Sequence, residues 1–160
     1  MINIIWRRNI IIYPAGAGGQ FLANMFQNTE LERTDHNEYI DWPTGWDCNH
    51  ANTMPQYNNC RILVINVKDS WREVERLGKI KLKQDYTEDF NLEYEPFEQY
   101  ENLEFNSTNA VMYASYCSIF HDRKIKDILK FFNIPFEKRM DHEIKAYSLR
   151  NERLLNDIIH

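Results

Sequence analysis

The segment that most constrains this chain lies near its start. Asn9 to Tyr13 reads NIIIY, an unbroken apolar run closed by Pro14. A run that is apolar on both alternating sides suits a strand buried on both faces, as in a parallel sheet. PAGAGG follows, from Pro14 to Gly19, and holds three of the five glycines in the chain. Gln20 to Asn28, QFLANMFQN, then sets Phe21, Leu22, Met25 and Phe26 at helical spacing. Strand, glycine loop and helix in that order predict an α/β domain whose first crossover turns on the loop.

Small residues in such a loop have two readings. They let amide N–H groups converge beside the positive end of the helix dipole, which makes an anion cradle suited to phosphate. They also simply let a tight turn pack closely. The loop is not a Walker A motif, which needs G-x-x-x-x-G-K-[ST]. Pro14 stands where the first glycine belongs, and Gln20 and Phe21 follow Gly19. Nor is it G-x-G-x-x-G, because Phe21 occupies the third glycine position. Magnesium-dependent ATP or GTP hydrolysis on a loop hydroxyl is thereby disfavoured.

Further on, Leu31 to Gln56 is polar and irregular, punctuated by Trp42-Pro43, Thr44-Gly45 and Met54-Pro55. Arg61 to Val67, RILVINV, predicts a second core strand. Lys68-Asp69-Ser70 then opens a helix, capped by Asp69 or Ser70, with Trp71, Val74, Leu77 and Ile80 as its inward stripe. Asp85 to Glu104 carries eight acids, no Lys or Arg, and interleaved aromatics. It reads as a solvated excursion pinned by its aromatics, as a surface for a protein partner, or as a lid. Ser107 is expected to cap a helix running to about Phe120, and Asp122 to Phe132 to form another. Asn133 to Phe136 is a connector or an extra strand. Asp141 is expected to cap a last helix, with Ile144, Tyr147, Leu154, Leu155 and Ile158 inward. The sum is one domain over 1–160 with an acidic-aromatic excursion at 85–104. Its architecture is a P-loop-like three-layer α/β sandwich, a small parallel sheet flanked by helices on both faces, with a helical C-terminal third.

Composition removes several function classes. At 160 residues the chain is long enough to bury a core without staples. A net charge of −5 disfavours a broad duplex-binding surface, so no nucleic-acid partner is expected. No apolar run reaches the roughly 18 residues of a membrane helix. The short apolar start precedes Arg7 and Arg8 rather than following its charges, which is not the order of an export signal. Three cysteines, Cys48, Cys60 and Cys117, read as reduced thiols in a cytoplasmic protein, with Cys117 in the core. Asp47, Cys48, His50 and Cys60 have metal-ligating types but lack a CxxC clip, so no metal is expected. His36 and His142 sit among charged neighbours and read as solvated, and His121 reads as a feature of a helix junction.

Three segments, taken in order, resemble the sulfotransferases that use 3'-phosphoadenosine 5'-phosphosulfate. YPAGAGGQFL is similar to that family's loop, roughly Y-P-P-K-S-G-T-T-W-L, with Tyr13, Pro14, Gly18 and Leu22 in register and Phe21 in place of tryptophan. Cys48-Asn49-His50 and then Pro55 resemble a T-H-x-P-like segment. Arg61 to Ile65, followed by Val67 to Ser70, resembles a K-I-I-Y-V strand and its N-P-K-D-like turn. The resemblance spans about Asn9 to Arg76, under half of the chain. Small, divergent members, including ones carried by phages, are similar. It implies a bisphosphate nucleotide as ligand, 3'-phosphoadenosine 5'-phosphosulfate as donor and a small hydroxyl compound as acceptor. Gly16, Ala17, Gly18, Gly19 and Gln20 would cradle the 5'-phosphate, and His50 would stand in the place of the catalytic base, or remain an ordinary loop histidine.

The departures from that pattern matter equally. The family's loop lysine falls on Gly16, its loop hydroxyls on Gly19 and Gln20, and its 3'-phosphate arginine on Val67. Loss of these cations removes most of the electrostatic stabilisation of such a transfer. Lys68, at the end of the second strand, and Arg72 and Arg76, at helical spacing from it, are the substitutes expected near the 3'-phosphate. Two rivals follow: a catalytically inactive structural or interaction module of the same fold, such as a virion component, and a divergent nucleotide kinase. The location implied is the cytoplasm, meaning the host's cytoplasm or the virion for a phage protein.

Overall fold

The computed structural model of the chain describes residues 6–27, 46–49, 51, 55–85 and 97–157. Four strands, β1 (Asn9–Ile12), β2 (Trp46–Asn49), β3 (Arg61–Asn66) and β4 (Ala110–Ser115), form one sheet in the order β2-β1-β3-β4. All three pairings are parallel. Ile12 at the end of β1 lies opposite Asn49 of β2 and Val64 of β3, and Asn66 of β3 lies opposite Ser115 of β4. The carboxyl ends of all four strands therefore gather at one edge. The helices are α1 (Gly19–Gln27), α2 (Trp71–Asp85), α3 (Lys126–Phe132) and α4 (Lys138–Asp157).

Alternation along the strands divides the core in two. Ile11, Leu63 and Ile65 point to one side, where they meet Leu22, Met25 and Phe26 of α1, Ile128, Leu129 and Phe132 of α3, and Met140 and Ile144 of α4. Val74 and Leu77 of α2 join the same cluster, although α2 itself packs chiefly on α4. Ile10, Ile12, Ile62 and Val64 point the other way, onto Tyr57, Cys60 and Tyr100, with Leu103 and Phe105 alongside. Among the described residues, then, the helices share one face and irregular chain covers the other, which corrects the expectation of helices on both. The path from β3 to β4 explains it. The chain leaves β3 on the helical side as α2 and comes back to β4 past Tyr100 and Phe105 on the opposite side.

Several local expectations are also corrected. Trp46–Asn49, within the stretch read as irregular, is a parallel edge strand. The helix expected from Ser107 to Phe120 is instead strand β4 followed by a π-helical turn at Cys117–His121. Asn109 directs this outcome. Its Oδ1 accepts from the Cys60 amide at 2.9 Å and its Nδ2 donates to the Tyr57 carbonyl at 2.8 Å, which sets the next residues beside β3. Arg123, at φ 55°, breaks the chain so that α3 begins only at Lys126. Asn133, left-handed at φ 57° and ψ 46°, ends α3 by returning its N–H to the Leu129 and Lys130 carbonyls, and no strand follows in 134–137. Asp141 sits within the first turn of α4 and does not cap it. The turn before α2 is a short 3-10 helix, Lys68–Ser70, and the Ser70 hydroxyl meets the Cys117 sulfur at 2.8 Å. Cys117 is half-buried in the π turn rather than enclosed in the core.

Candidate functional site

Strand order fixes where a ligand crevice opens. From β1 the chain crosses to β2 on one side; from β3 it crosses to β4 on the other. The order reverses between β1 and β3, and open α/β sheets bind ligands outside the carboxyl ends of the strands at such a reversal. The glycine loop leaves the end of β1, and the Lys68 turn leaves the end of β3. The two segments singled out in the sequence thus flank one crevice.

The loop is closely packed. Gly16 has φ +91°, and a Cβ there would lie 2.4 Å from the Gly78 nitrogen and 2.5 Å from the Val74 carbonyl oxygen, both backbone atoms of α2. Gly18 has φ +79°, and its Cβ would meet the Phe120 ring at 2.5 Å. A Cβ on Gly19 would strike the Tyr13 ring at 2.1 Å. Ala17 closes the turn by donating its N–H to the Pro14 carbonyl at 3.0 Å. Gly18 then accepts the first helical hydrogen bond, from the Leu22 amide, so Gly19, Gln20 and Phe21 form the first turn of α1 and their amides have no intrahelical partner. Gln20 is exposed, while Ala17, Gly18 and Gly19 are buried. Beneath the loop, the Tyr100 hydroxyl donates to the Tyr13 carbonyl at 3.2 Å and accepts from the Ala51 amide at 3.3 Å. The described end of the acidic-aromatic excursion is therefore fastened to the start of the loop. The Cys48 thiol donates to the Gly19 carbonyl across 3.8 Å.

The three expected cations part company. Lys68 and Arg72 are exposed near the crevice, at the turn after β3 and in the first turn of α2. Arg76 lies a turn further on, where its Nη2 donates to the Leu155 carbonyl of α4 at 3.3 Å. The contact is a single hydrogen bond on a side chain that is otherwise exposed. His50 and residues 86–96 of the excursion lie outside the described residues.

Comparison with protein-family models, with curated proteins and with solved structures gives no match. Among the described residues, no group of three or more His, Cys, Asp or Glu side chains is placed to hold a metal ion, and no helix is long and apolar enough to cross a membrane.

Sequence reasoning missed the aromatic and charged residues that surround the loop. Tyr147 of α4 stacks on Phe21, with ring centroids 4.2 Å apart and planes at 15°, and lies 5.3 Å from Phe120. Lys81 of α2 donates to the Tyr147 hydroxyl at 2.7 Å. The sequence did hold a signal for Lys81: it continues the inward series Val74, Leu77, Gly78 at helical spacing. A second link joins α2 to the π turn. Glu73 Oε2 lies 3.0 Å from His121 Nε2, one turn along from the Ser70–Cys117 contact. His121 is thus a link between two elements. The π turn also carries Phe120, so these two contacts hold the ring that fills the space before Gly18.

Burial shifts two tyrosines. Desolvation, with the nearby Cys48 and Tyr147 groups, raises the Tyr13 hydroxyl well above its ordinary value. Desolvation, then Glu73, does the same for Tyr116, against an opposing hydrogen bond to Asn151. A phenol whose ionisation is pushed up by folding stays neutral in the folded state while the unfolded chain ionises from about pH 10. Stability is therefore whole below that pH and falls above it. The midpoint of urea unfolding should drop as pH rises from about 9.5 to 11, and Tyr116→Phe should flatten the drop. A curve that Tyr116→Phe leaves equally steep would contradict this.

Proposed function

We propose that the chain is a sulfotransferase-like domain that binds a nucleotide of the 3'-phosphoadenosine 5'-phosphate type in the crevice between the ends of β1 and β3. The observation that supports this reading is the strand order β2-β1-β3-β4, which opens its reversal at the glycine loop and the Lys68 turn together. In this reading the 5'-phosphate lies against the backbone from Gly16 to Gln20, beside the first turn of α1, where the dipole favours an anion. Lys68 and Arg72 serve the 3'-phosphate. Arg76 spends one donor on the Leu155 carbonyl and stays with them as a candidate through its remaining N–H groups. Where transfer occurs, an acceptor oxygen bonds to sulfur as the sulfur–oxygen bond to the 5'-phosphate breaks, and His50 takes the acceptor's proton.

A second reading has its own observation. The side chains of Phe120 and Tyr13 fill the space where Gly18 and Gly19 would carry a Cβ, and Gly16 rests on the backbone of α2. Close packing alone accounts for all three glycines, as an inactive interaction module of the same fold requires. Calorimetric titration separates the two. The first reading predicts that adenosine 3',5'-bisphosphate binds more tightly than adenosine 5'-monophosphate, and that ATP with magnesium has no advantage. Heat from none of the three supports the interaction module. Selective binding of ATP with magnesium supports a kinase.

A further inference from the structure

Lys81 is a half-buried cation with no carboxylate partner among the described residues. Its Nζ donates to a neutral phenol, Tyr147, at 2.7 Å and lies 4.5 Å from the centre of that ring. Among the described residues no carboxylate pairs with it, whereas Lys79, two residues away on the exposed side of α2, pairs with Glu75 at 3.0 Å. A partly buried charge without a counter-charge is costly, and a bound anion would relieve that cost.

Its position says which anion. Lys81 lies less than one helical turn beyond Gly78, the residue against which the Gly16 backbone rests. The phenol that holds it stacks on Phe21 in the first turn of α1. Arg150 of α4 lies over the same phenol ring, 5.9 Å from its centre. The loop itself, from Tyr13 to Phe21, has no charged residue. The cations over the Tyr147 ring, which stacks on Phe21, thus come from α2 and α4, not from the loop.

We infer that Lys81, steered by Tyr147, is the cation for the phosphate or sulfate at the 5' end of the nucleotide. This rests on the nucleotide-binding reading and adds the residue that supplies its missing charge. Lys81 and Lys68 then serve opposite ends of one ligand. A lysine gives a point charge that tolerates several anion geometries, as suits an end that carries either phosphate or phosphosulfate.

The test uses adenosine 3',5'-bisphosphate and adenosine 5'-monophosphate as probes, with the full chain. Lys81→Met keeps the aliphatic stem and should weaken both nucleotides by about tenfold or more. Lys68→Gln should weaken only the bisphosphate, and Lys79→Met neither. Lys81→Arg should recover most of the loss. Affinity unchanged in a folded Lys81→Met protein, while the parent binds, overturns the inference and leaves the nucleotide reading standing. A parent that binds neither nucleotide overturns both. A measurement on the unaltered protein guards against a variant that fails to fold: acylation of lysines with and without the bisphosphate, read by mass spectrometry. Protection of Lys81 but not Lys79 is the expected result, and equal labelling of Lys81 in both samples overturns the assignment.

Discussion

Gly16→Val is expected to destabilise the domain by about 2–6 kcal/mol, not merely to silence it. Two costs coincide at this position. The backbone stands at φ +91°, where a β-branched residue is strained by about 1–3 kcal/mol. The new Cβ would also sit 2.4 Å from the Gly78 nitrogen and 2.5 Å from the Val74 oxygen. Both are backbone atoms, so relief requires the loop and α2 to separate, and such overpacking adds roughly 1–3 kcal/mol. Together they consume much of the roughly 5–15 kcal/mol that holds a domain of this size. Gly78 explains the other half of the contact. A glycine inside a helix costs roughly 1 kcal/mol relative to alanine, and here it allows two backbones to touch. Urea unfolding followed by circular dichroism gives the check. A Gly16→Val protein as stable as the parent would mean that the loop does not rest on α2.

Phe120→Ala should be nearly as severe, costing about 3–5 kcal/mol. The ring is 2% exposed and lies 4.9 Å from the Tyr116 ring and 5.3 Å from the Tyr147 ring, centre to centre. The more telling experiment pairs it with Gly18→Ala. Alone, Gly18→Ala pushes a methyl into the Phe120 ring at 2.5 Å while holding φ at +79°. With the ring already removed, only the backbone strain remains. The two substitutions should therefore couple by about 1–3 kcal/mol, the double variant being more stable than the sum of the singles implies. Strict additivity would show that Phe120 does not occupy the space before Gly18.

The strand–loop–helix unit was legible because each part had a strong local cause. NIIIY has no helical periodicity, the loop concentrates the glycines, and Phe21 to Phe26 keeps one helical face. The second strand and α2 were legible for the same reasons. β4 was not, because AVMYASYCSIF is one apolar run that suits a strand or a helix equally. What decides between them is distant: Asn109 bonding to Tyr57 and Cys60, and β3 waiting for a partner. β2 is only four residues long and its pairing likewise depends on β1. At the site, the glycine loop and Lys68 could be found by their place after apolar strands. Phe120, Tyr147 and Lys81 could not be assigned to it, since they come from three elements that meet only once α4 lies against α2. The packing role of the glycines was equally hidden, because the atoms they make room for belong to Gly78, Phe120 and Tyr13.

The most direct test of the crevice between β1 and β3 is an amide NMR titration of the labelled protein with adenosine 3',5'-bisphosphate. The largest shifts are expected at Gly16 to Gln20 and at Lys68 to Ser70, with adenosine 5'-monophosphate moving the first group far more than the second. Saturable binding that leaves both groups unmoved and shifts amides elsewhere would contradict that expectation.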